Sequence, residues 1–406
     1  MVESVDELDG RRGQSGRNEM DVAKLISRID VSTFANEEQR AEAVAAAQAL
    51  VSRLETPWEF IMRTCMGQPA LGAALKIGND LDLFQKWQDE GHLEMTFQEL
   101  TVMIPSCEPD LLYRILGHLA ANHVLQETSI AVFKPTPLSI AFASPVYNEW
   151  MNHFYDALIP VFSKLPIYLA QHDYKAPSDP TNGVFQFAKE FKGDLFHYYR
   201  EHPVKGASFD LVMSSVMAHQ ASWVDIFPPE ILFETDIGGD TPLVVDVGGN
   251  IGHDIEKFRE KHPDTAARLY LEDLPHVLER AKCNKTVNRV AYDFFTPQPI
   301  TGARAYYIHS VLHDWSDDFA RKILVMQRDA LAMGYSTLLI HDHIMADQLA
   351  HPQTTAFDLT MMGIVAGKER KAEDFRKLIE SAGYNIIKIW TSPQAIQSII
   401  QAERAM

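Results

Sequence analysis

The chain has 406 residues, of which 46% are hydrophobic and 23% charged, and this composition is that of a globular protein with room for two or three domains. The formal net charge of −18 disfavours nucleic acid as a partner. The cysteines Cys65, Cys107 and Cys283 have no paired spacing, and the first residues lack the features of a secretory or transit signal. The sequence therefore predicts a cytoplasmic protein with no transmembrane segment.

The first part of the chain is predicted to be mainly helical. Residues 1–20 are predicted to be a disordered N-terminus, and residues 21–145 to form a helical domain that ends in two short helices and a strand-like segment, SIAVFKPTPLS. This order is typical of a winged helix. Because the segment carries few basic residues, we interpret it as a packing or dimerisation module and not as a DNA-binding one.

Residues 146–236 are helical in pattern and rich in aromatic residues and Met. Such surfaces are usually core, and contact with a ligand is the alternative. From residue 237 to 406, strand and helix signals alternate, beginning with the apolar run PLVVDVGG. That alternation predicts an α/β fold, with a parallel sheet covered by helices on both faces and a ligand at the carboxyl ends of the strands.

A glycine-rich turn follows the first of these strands, in VVDVGGNIGHD. Gly248, Gly249 and Gly252 would let the backbone turn sharply and a ligand approach closely. A G-x-x-x-G loop alone is weak evidence, because nucleotide, flavin and methyl-donor folds share it. The loop has no lysine followed by Ser or Thr, so a triphosphate site of the Walker type is not supported.

Acidic residues end the next two strands. Glu272 and Asp273 in YLEDLP are placed to accept hydrogen bonds from ribose hydroxyls, and Asp293 to accept from an adenine amino group while Phe294 packs on the ring. A glycine loop with acidic strand ends and no phosphate-binding lysine fits S-adenosylmethionine better than ATP.

An ordered set of motifs runs from Leu243 to Tyr384: DVGGNIG, EDLPHV, YDFF, HSVLHDWSDD, LLIHDHI and GKERKAEDFRKLIESAGY. In this order the set resembles the cation-independent O-methyltransferases of the plant caffeic-acid type and their fungal natural-product relatives. The resemblance implies a Rossmann-like class I methyltransferase domain over residues 237–406. It also implies a winged-helix-like dimerisation domain over 21–145, a substrate-capping region over 146–236, and a homodimer.

The same resemblance assigns roles to individual residues. The S-adenosylmethionine site would comprise Asp246, Gly248, Gly249, Gly252, Asp273, Leu274, Asp293, Phe294 and His309, the last where the family often has lysine. The acceptor pocket would include His153, Phe209, Met213 and Met361. The catalytic set would be His313 as general base, flanked by the acids Asp342 and Glu369.

A histidine base suits the predicted chemistry. A phenol has a pKa near ~10, so little phenolate exists at neutral pH, whereas an imidazole with a pKa near ~6.5 can take the proton as the methyl group moves. Asp342 or Glu369 would fix the tautomer of His313 and stabilise the imidazolium.

Three features depart from the plant pattern. Asn250 stands in place of the third glycine, Asp342 is one methylene shorter than the usual glutamate, and MMGIVAGKER is one residue shorter and more apolar. In IHDHI, His341 and His343 are predicted to point away from Asp342 along a strand. No metal site is predicted, because side chains on alternate faces cannot meet at one ion.

These departures leave other functions open. Some fungal proteins of this fold bind S-adenosylmethionine and act as pericyclases, in which the sulfonium is a fixed positive charge and is not consumed. In that interpretation His313 and His153 would donate hydrogen bonds or shuttle protons to a hydrophobic polyketide. A non-catalytic protein that senses the cofactor is the third hypothesis. The retained acids and base favour methyl transfer to a secondary metabolite.

Overall fold

The computed structural model describes residues 22–218, 220–392 and 396–406, so the segment 1–20 that was predicted to be disordered lies outside the described residues. The chain divides into two compact units at Gly67 and Gln68. The helices of the first unit are α1 (Val22–Ile26), α2 (Glu37–Leu54) and α3 (Pro57–Met62), and a π-helical turn follows at Arg63–Gly67. The side chain of Asn36 caps α2, and none of the three helices buries a residue.

The second unit begins with a small helical and β module. Its elements are α4 (Gln68–Asp80), α5 (Leu83–Asp89), β1 (Met95–Thr96), α6 (Phe97–Met103), α7 (Pro109–Ala121), β2 (Leu125–Ser129) and β3 (Val132–Pro135). The strands form an antiparallel sheet in the order β1-β3-β2. Leu83, Trp87, Leu116 and Phe133 belong to one buried apolar cluster in this module. The two short helices and the strand-like segment of the sequence prediction are therefore present.

The next segment is almost entirely helical. Its helices are α8 (Pro137–Ala141), α9 (Pro145–His153), α10 (Ile159–Gln171), α11 (Val184–Lys189), α12 (Leu195–Glu201), α13 (Pro203–Ala218), α14 (Trp223–Ile226) and α15 (Ile231–Glu234). A π-helical turn, Phe154–Leu158, connects α9 to α10. The side chain of Asp194 caps α12 by accepting a hydrogen bond from the backbone of His197 at 2.7 Å.

The remaining chain builds the main sheet. Its strands are β4 (Val244–Val247), β5 (Leu269–Asp273), β6 (Asn288–Ala291), β7 (Ala305–His309), β8 (Thr337–Asp342), β11 (Tyr384–Trp390) and β12 (Ser398–Arg404), and a separate parallel pair is β9 (Ile344–Met345) with β10 (Arg370–Lys371). The helices are α16 (His253–Lys261), α17 (Pro275–Leu278), α18 (Asp317–Arg328), α19 (Pro352–Val365) and α20 (Ala372–Ser381).

The strand order in the seven-stranded sheet is β11-β12-β8-β7-β4-β5-β6. Six strands run in one direction, and β12, between β8 and β11, is antiparallel to both of these neighbours. The prediction of an entirely parallel sheet is therefore wrong at this edge, and β12 was not predicted. The connection 391–397 is too short for the crossover of a dozen or more residues that a parallel pair requires.

Both faces of this sheet are covered. Val245, Tyr306 and Leu338 face one apolar cluster, which α18 and α20 complete, while their strand neighbours Val244 and Tyr307 face another with Phe258 of α16. This alternation follows from the two-residue period of a strand, which sends successive side chains to opposite faces. None of the helices in the described part of the chain is long and apolar enough to span a bilayer.

Candidate active site

The glycine loop after β4 has a backbone that only small residues permit. Gly248 and Gly252 have φ of +70° and +89°, and a Cβ on Gly249 would lie 2.5 Å from the carboxyl carbon of Asp246. The third position of the family's glycine triplet, Asn250, has φ of 54°, a left-handed conformation that asparagine tolerates better than most residues. The loop therefore keeps the sharp turn predicted from its glycines.

Two carboxylates face this loop. Asp246 is buried and neither of its oxygens has a hydrogen-bond partner among the described residues, and burial raises its pKa well above the usual range. Asp273 accepts hydrogen bonds from the backbone of Asn250 at 2.8 Å and of Leu274 at 2.7 Å. The structure thus brings Asp246, Asp273 and Leu274 together around the glycines.

Glu272 does not join them. It is fully buried and accepts a hydrogen bond from Gln298 at 2.8 Å, and burial raises its pKa to about 7. Because adjacent strand residues point to opposite faces, only Asp273 of the predicted pair faces the loop. The prediction that Glu272 is placed for the ribose is therefore wrong.

Phe294 lies where the predicted cofactor loop meets the predicted base. Its ring would lie 3.4 Å from a Cβ on Gly248, and it packs edge-on against Trp315, which is two residues after His313, at 6.0 Å between ring centroids. Its neighbour Asp293 is exposed and accepts a hydrogen bond from the backbone of Phe295. An exposed carboxylate beside a packed ring is compatible with the adenine contacts predicted for this pair.

His309, at the end of β7, is held on three sides. Its Nδ1 lies 2.6 Å from Asp254, its Nε2 lies 2.8 Å from Gln397, and its ring stacks on His341 at 4.0 Å. Burial lowers the pKa of His309, but the carboxylate of Asp254 outweighs it, and the net shift is upward. The partners Asp254 and Gln397 were not found from the sequence, because one opens a helix and the other precedes a strand that was not predicted.

His313 stands on a single 3-10 turn, Leu312–Asp314, and pairs with Glu369. The His313 Nδ1 lies 2.8 Å from Glu369 Oε1, and the Nε2 lies 3.5 Å from Asp314. Burial alone would lower the pKa of His313 and raise that of Glu369. Neighbouring carboxylates reverse the shift of His313, and the imidazoles of His313 and His343 reverse that of Glu369. In the free protein the two groups therefore form an imidazolium–carboxylate pair at neutral pH.

Asp342 ends β8 near this pair. Neither of its oxygens has a hydrogen-bond partner among the described residues, and burial raises its pKa to about 6. The predicted alternation fits His341, whose Nδ1 lies 2.8 Å from the hydroxyl of Tyr307. It is wrong for His343, which lies beyond the end of β8 with its Nδ1 3.4 Å from Glu369 Oε1. Glu369, and not Asp342, contacts His313 directly.

A loop after α19 fastens the turn that carries His313. Lys368 donates its backbone N–H to the carbonyl of His313 at 2.9 Å, and a Cβ on Gly367 would lie 2.1 Å from that same carbonyl oxygen. The side chain of Arg370 is fully buried and donates to the carbonyls of Leu312 and Trp315, both at 2.7 Å. Both residues lie in the motif GKERK, but no role was predicted for Gly367 or Arg370 from the sequence.

The residues predicted for the acceptor pocket lie among helices. His153 is buried, its ring is 5.7 Å from that of Phe209, and its Nδ1 is 3.4 Å from the hydroxyl of Tyr199. Burial lowers the pKa of His153 to about 4, so this imidazole is neutral at pH 7. Phe209 and Met361 pack on one apolar cluster, and Met213 is half-buried one turn after Phe209. These side chains offer an apolar surface with one neutral imidazole.

The site residues fit a cationic nucleoside-type ligand. The glycine loop, Asp273, His309 and Asp342 all stand at the carboxyl ends of parallel strands, where ligands of such sheets bind. Asp246 keeps two hydrogen-bond acceptors without partners among the described residues, and a Cβ on Gly249 would overlap the carboxyl group of Asp246. The surplus of carboxylates at this edge favours a positive charge.

Comparisons with known proteins agree on one family. A family model described as an O-methyltransferase domain matches residues 184–385. The O-methyltransferase mfmE of Annulohypoxylon moriforme is 60% identical over 395 residues, which are 97% of this chain and 98% of that protein. The methyltransferase cfoC of Aspergillus candidus is 32% identical over 390 residues, which are 95% and 96% of the two chains.

Solved structures agree on the fold and the cofactor. The structure described as "A Pericyclic Reaction enzyme" superposes with a TM-score of 0.84 at 26% identity, covering 94% of this chain and 98% of that one. LepI in complex with SAM gives a TM-score of 0.83 at the same identity and coverage. The α/β fold with its mixed sheet is thus that of class I methyltransferases, and S-adenosylmethionine is the cofactor. The chain belongs to the S-adenosylmethionine-dependent O-methyltransferase family.

Proposed function

We propose that this protein methylates a hydroxyl group of a hydrophobic, polyketide-type or aromatic secondary metabolite, with His313 as the general base. The observation that carries this proposal is the pair of His313 and Glu369, whose Nδ1 and Oε1 atoms are 2.8 Å apart. His313 stands on the turn that follows β7, at the same sheet edge as the glycine loop, and Glu369 reaches it from the segment after α19. The 60% identity to a fungal O-methyltransferase supports methyl transfer.

The residues of this chain would divide the reaction between them. Bound S-adenosylmethionine supplies an electrophilic methyl group on a sulfonium centre. Since the Nδ1 of His313 is occupied by Glu369, the Nε2 is the atom that would accept the hydroxyl proton. Glu369 would hold the ring in that orientation and stabilise its charge, and Asp314, 3.5 Å from Nε2, would add to that stabilisation. Much of the rate would come from positioning, because the methyl group itself needs no activation.

The acceptor would bind against the helical segment. We propose that His153, Phe209, Met213 and Met361 line its pocket, in keeping with the apolar cluster on which Phe209 and Met361 pack. The neutral imidazole of His153 could accept or donate one hydrogen bond to an oxygen of the acceptor. Such a wall suits a ligand that is largely apolar with a few oxygens.

The second candidate function is a pericyclase that binds S-adenosylmethionine without consuming it. The specific observation in its favour is the TM-score of 0.84 to the structure described as a pericyclic reaction enzyme. In that case His313, protonated in the free protein, would donate a hydrogen bond to a carbonyl of the substrate. The 60% identity to an O-methyltransferase, against 26% to the pericyclic enzyme, supports methyl transfer as the first candidate.

One experiment separates the two functions. The purified protein is incubated with S-adenosylmethionine and a panel of fungal polyketide phenols and hydroxypyridones, and S-adenosylhomocysteine is recorded by mass spectrometry beside the mass of each product. Formation of S-adenosylhomocysteine together with a product heavier by one methylene supports methyl transfer. A dehydrated or isomeric product that requires intact S-adenosylmethionine supports the pericyclase.

The cofactor assignment makes its own prediction. We expect Gly249→Ala to weaken S-adenosylmethionine binding by at least about tenfold, because the new Cβ would lie 2.5 Å from Asp246 and 2.6 Å from Leu271. Isothermal titration calorimetry measures the change. The matched control is Gly117→Ala within α7, where a Cβ meets nothing within 4 Å and alanine favours the helix by about 1 kcal/mol. Unchanged affinity in a folded Gly249→Ala variant would show that the loop is not part of the S-adenosylmethionine site.

We also propose that the protein is a homodimer formed through its N-terminal helices. In the unit 22–67, the helices α1 to α3 bury none of their residues, and Trp58 and Phe60 are exposed. Large apolar side chains that stay exposed in a folded unit are typical of an interface. Light scattering coupled to size-exclusion chromatography, repeated on a chain that lacks residues 1–67, measures the oligomeric state. A full-length monomer would contradict the proposal.

A further inference from the structure

His343 is a buried imidazole for which neither the family resemblance nor the proposed mechanism gives a role. It is 3% exposed, and neither nitrogen completes a hydrogen bond of good geometry with the described residues. Its Nδ1 lies 3.4 Å from Glu369 Oε1, the same oxygen that His313 Nδ1 approaches to 2.8 Å. A buried polar group without a hydrogen bond is costly, so its position beside the proposed dyad requires an explanation.

A metal ion is one explanation for these three side chains, since their ligand atoms lie within 4.8 Å of one another. Two ligands about 2.1 Å from a tetrahedral zinc ion are separated by roughly 3.4 Å. His313 and Glu369 are only 2.8 Å apart, which is the distance of a charge-assisted hydrogen bond. A proton, and not a metal ion, therefore lies between His313 Nδ1 and Glu369 Oε1, and His343 interacts with this ion pair.

We propose that His343 is a positioning residue for the methyl-transfer reaction. His343 shares the Oε1 atom of Glu369 with His313, and it thereby limits how tightly Glu369 holds the His313 proton. This inference rests on the proposed function. A base that is bound too strongly to its proton cannot accept another, so a second donor on the carboxylate makes His313 more available.

The surroundings of His343 support the assignment. Its ring stacks on Phe357 of α19 at 5.3 Å, which fixes the ring plane beside Glu369. The charged or titratable groups around Glu369 and the two imidazoles are Asp314, Asp342, Asp358, His341 and the buried Arg370. The backbone N–H of Glu369 is already bound to Asp358 at 2.9 Å. Among the described residues, His343 and His313 are the basic side chains that lie within 4 Å of the Glu369 carboxylate.

The sharpest test compares His343→Phe with His343→Asn. Phenylalanine keeps the ring against Phe357 but removes the donor, whereas the amide nitrogen of asparagine is as many bonds from the backbone as Nδ1 is. We expect His343→Phe to move the acidic limb of the pH profile of kcat/KM upward by about 0.5–1 pH unit, with a three- to tenfold loss near neutrality. Asparagine should restore most of the loss.

A second measurement does not depend on turnover. In protein labelled at histidine ¹³Cε1, the titration of His313, assigned with a His313→Ala sample, should shift upward in His343→Phe and return in His343→Asn. His197→Phe is the matched control, because it removes an imidazole from the exposed pair with Glu201 on α12. If His343→Phe does not fold, His343→Met provides a second apolar variant of similar volume.

The outcomes separate this inference from the function on which it rests. An unchanged or lowered titration of His313 in a folded His343→Phe or His343→Met variant overturns the role of His343, even if methyl transfer is observed. If the His313 titration shifts upward in His343→Phe but the wild-type protein forms no S-adenosylhomocysteine, the link between the two imidazoles is retained and methyl transfer is overturned. A loss of activity without any change in either pH profile or titration means that His343 has only a structural role, which also overturns the proposal.

Discussion

Replacing His313 with alanine is expected to lower kcat for methyl transfer by about 10²- to 10⁴-fold, the usual contribution of a positioned general base. The affinity for S-adenosylmethionine should change by no more than about twofold, because the hydrogen bond of the His313 side chain goes to Glu369 and not to the glycine loop. Initial rates of S-adenosylhomocysteine formation and calorimetric titration of the cofactor give the two quantities. A variant that keeps its rate would show that His313 is not the base.

The pH dependence provides an independent measure of the same group. Carboxylate neighbours raise the pKa of His313 to about 10 and the imidazoles lower that of Glu369 to about 2, each against the opposing effect of burial. The contribution of His313 to the free energy of unfolding is complete below its ordinary pKa of 6.5 and is lost as the pH rises through about 10. The contribution of Glu369 is complete above its ordinary pKa of 4.5 and is lost as the pH falls through about 2. The ion pair is therefore intact around neutrality.

This charge state decides how the rate depends on pH. At neutral pH the complex contains protonated His313 and a neutral phenol. The productive complex has one proton fewer, so that either His313 is neutral or the phenol is an oxyanion. We therefore expect kcat/KM for a phenolic acceptor to rise from pH 6 to pH 9. Glu369→Gln keeps an acceptor for Nδ1 but removes the charge, and should move the rise to lower pH and reduce its plateau. A flat profile in both proteins would exclude His313 as a titrating base.

The architecture of the sheet could be predicted where side-chain pattern determines it. The strands from Val244 to Asp342 are apolar runs separated by helical patterns, and that alternation has few solutions. The last strand, β12, could not be predicted in the same way, because Ser398–Arg404 alternates apolar and polar residues weakly and its direction depends on a short connection. Local pattern indicates a strand more reliably than it indicates the direction in which that strand runs.

The candidate site divides along similar lines. Residues at the carboxyl end of a strand or on the turn that follows it, such as Gly249, Asp273 and His313, could be found because strand ends meet at one edge. Asp254 and Gln397, which hold His309, could not, because they are 55 and 88 residues from it in the chain. Contacts between distant segments depend on packing, which a single sequence does not show. The clamp that Arg370 forms by donating to the carbonyls of Leu312 and Trp315 also depends on such distant contacts.

Arg370→Met is the second change with a large expected effect. Arg370 is fully buried and donates to the carbonyls of Leu312 and Trp315, at 2.7 Å each, and to Asp317 at 2.9 Å. Methionine fills much of the volume but leaves two backbone carbonyls without a donor, at a cost of about 2–5 kcal/mol in the free energy of unfolding. Because the same carbonyls flank His313, we expect kcat to fall as well, by about tenfold or more.

The control for this prediction lies six residues further on. Arg376 bridges Glu373 and Glu380 on the exposed face of α20, and exposed ion pairs contribute little to stability. Arg376→Met should therefore leave both the thermal midpoint and kcat near those of the wild type, although it removes as many ion pairs as Arg370→Met removes hydrogen bonds to the backbone. If both variants lose the same stability, the loss comes from charge and not from the buried clamp. If Arg370→Met unfolds at a lower temperature but keeps its kcat, the clamp stabilises the fold without positioning His313.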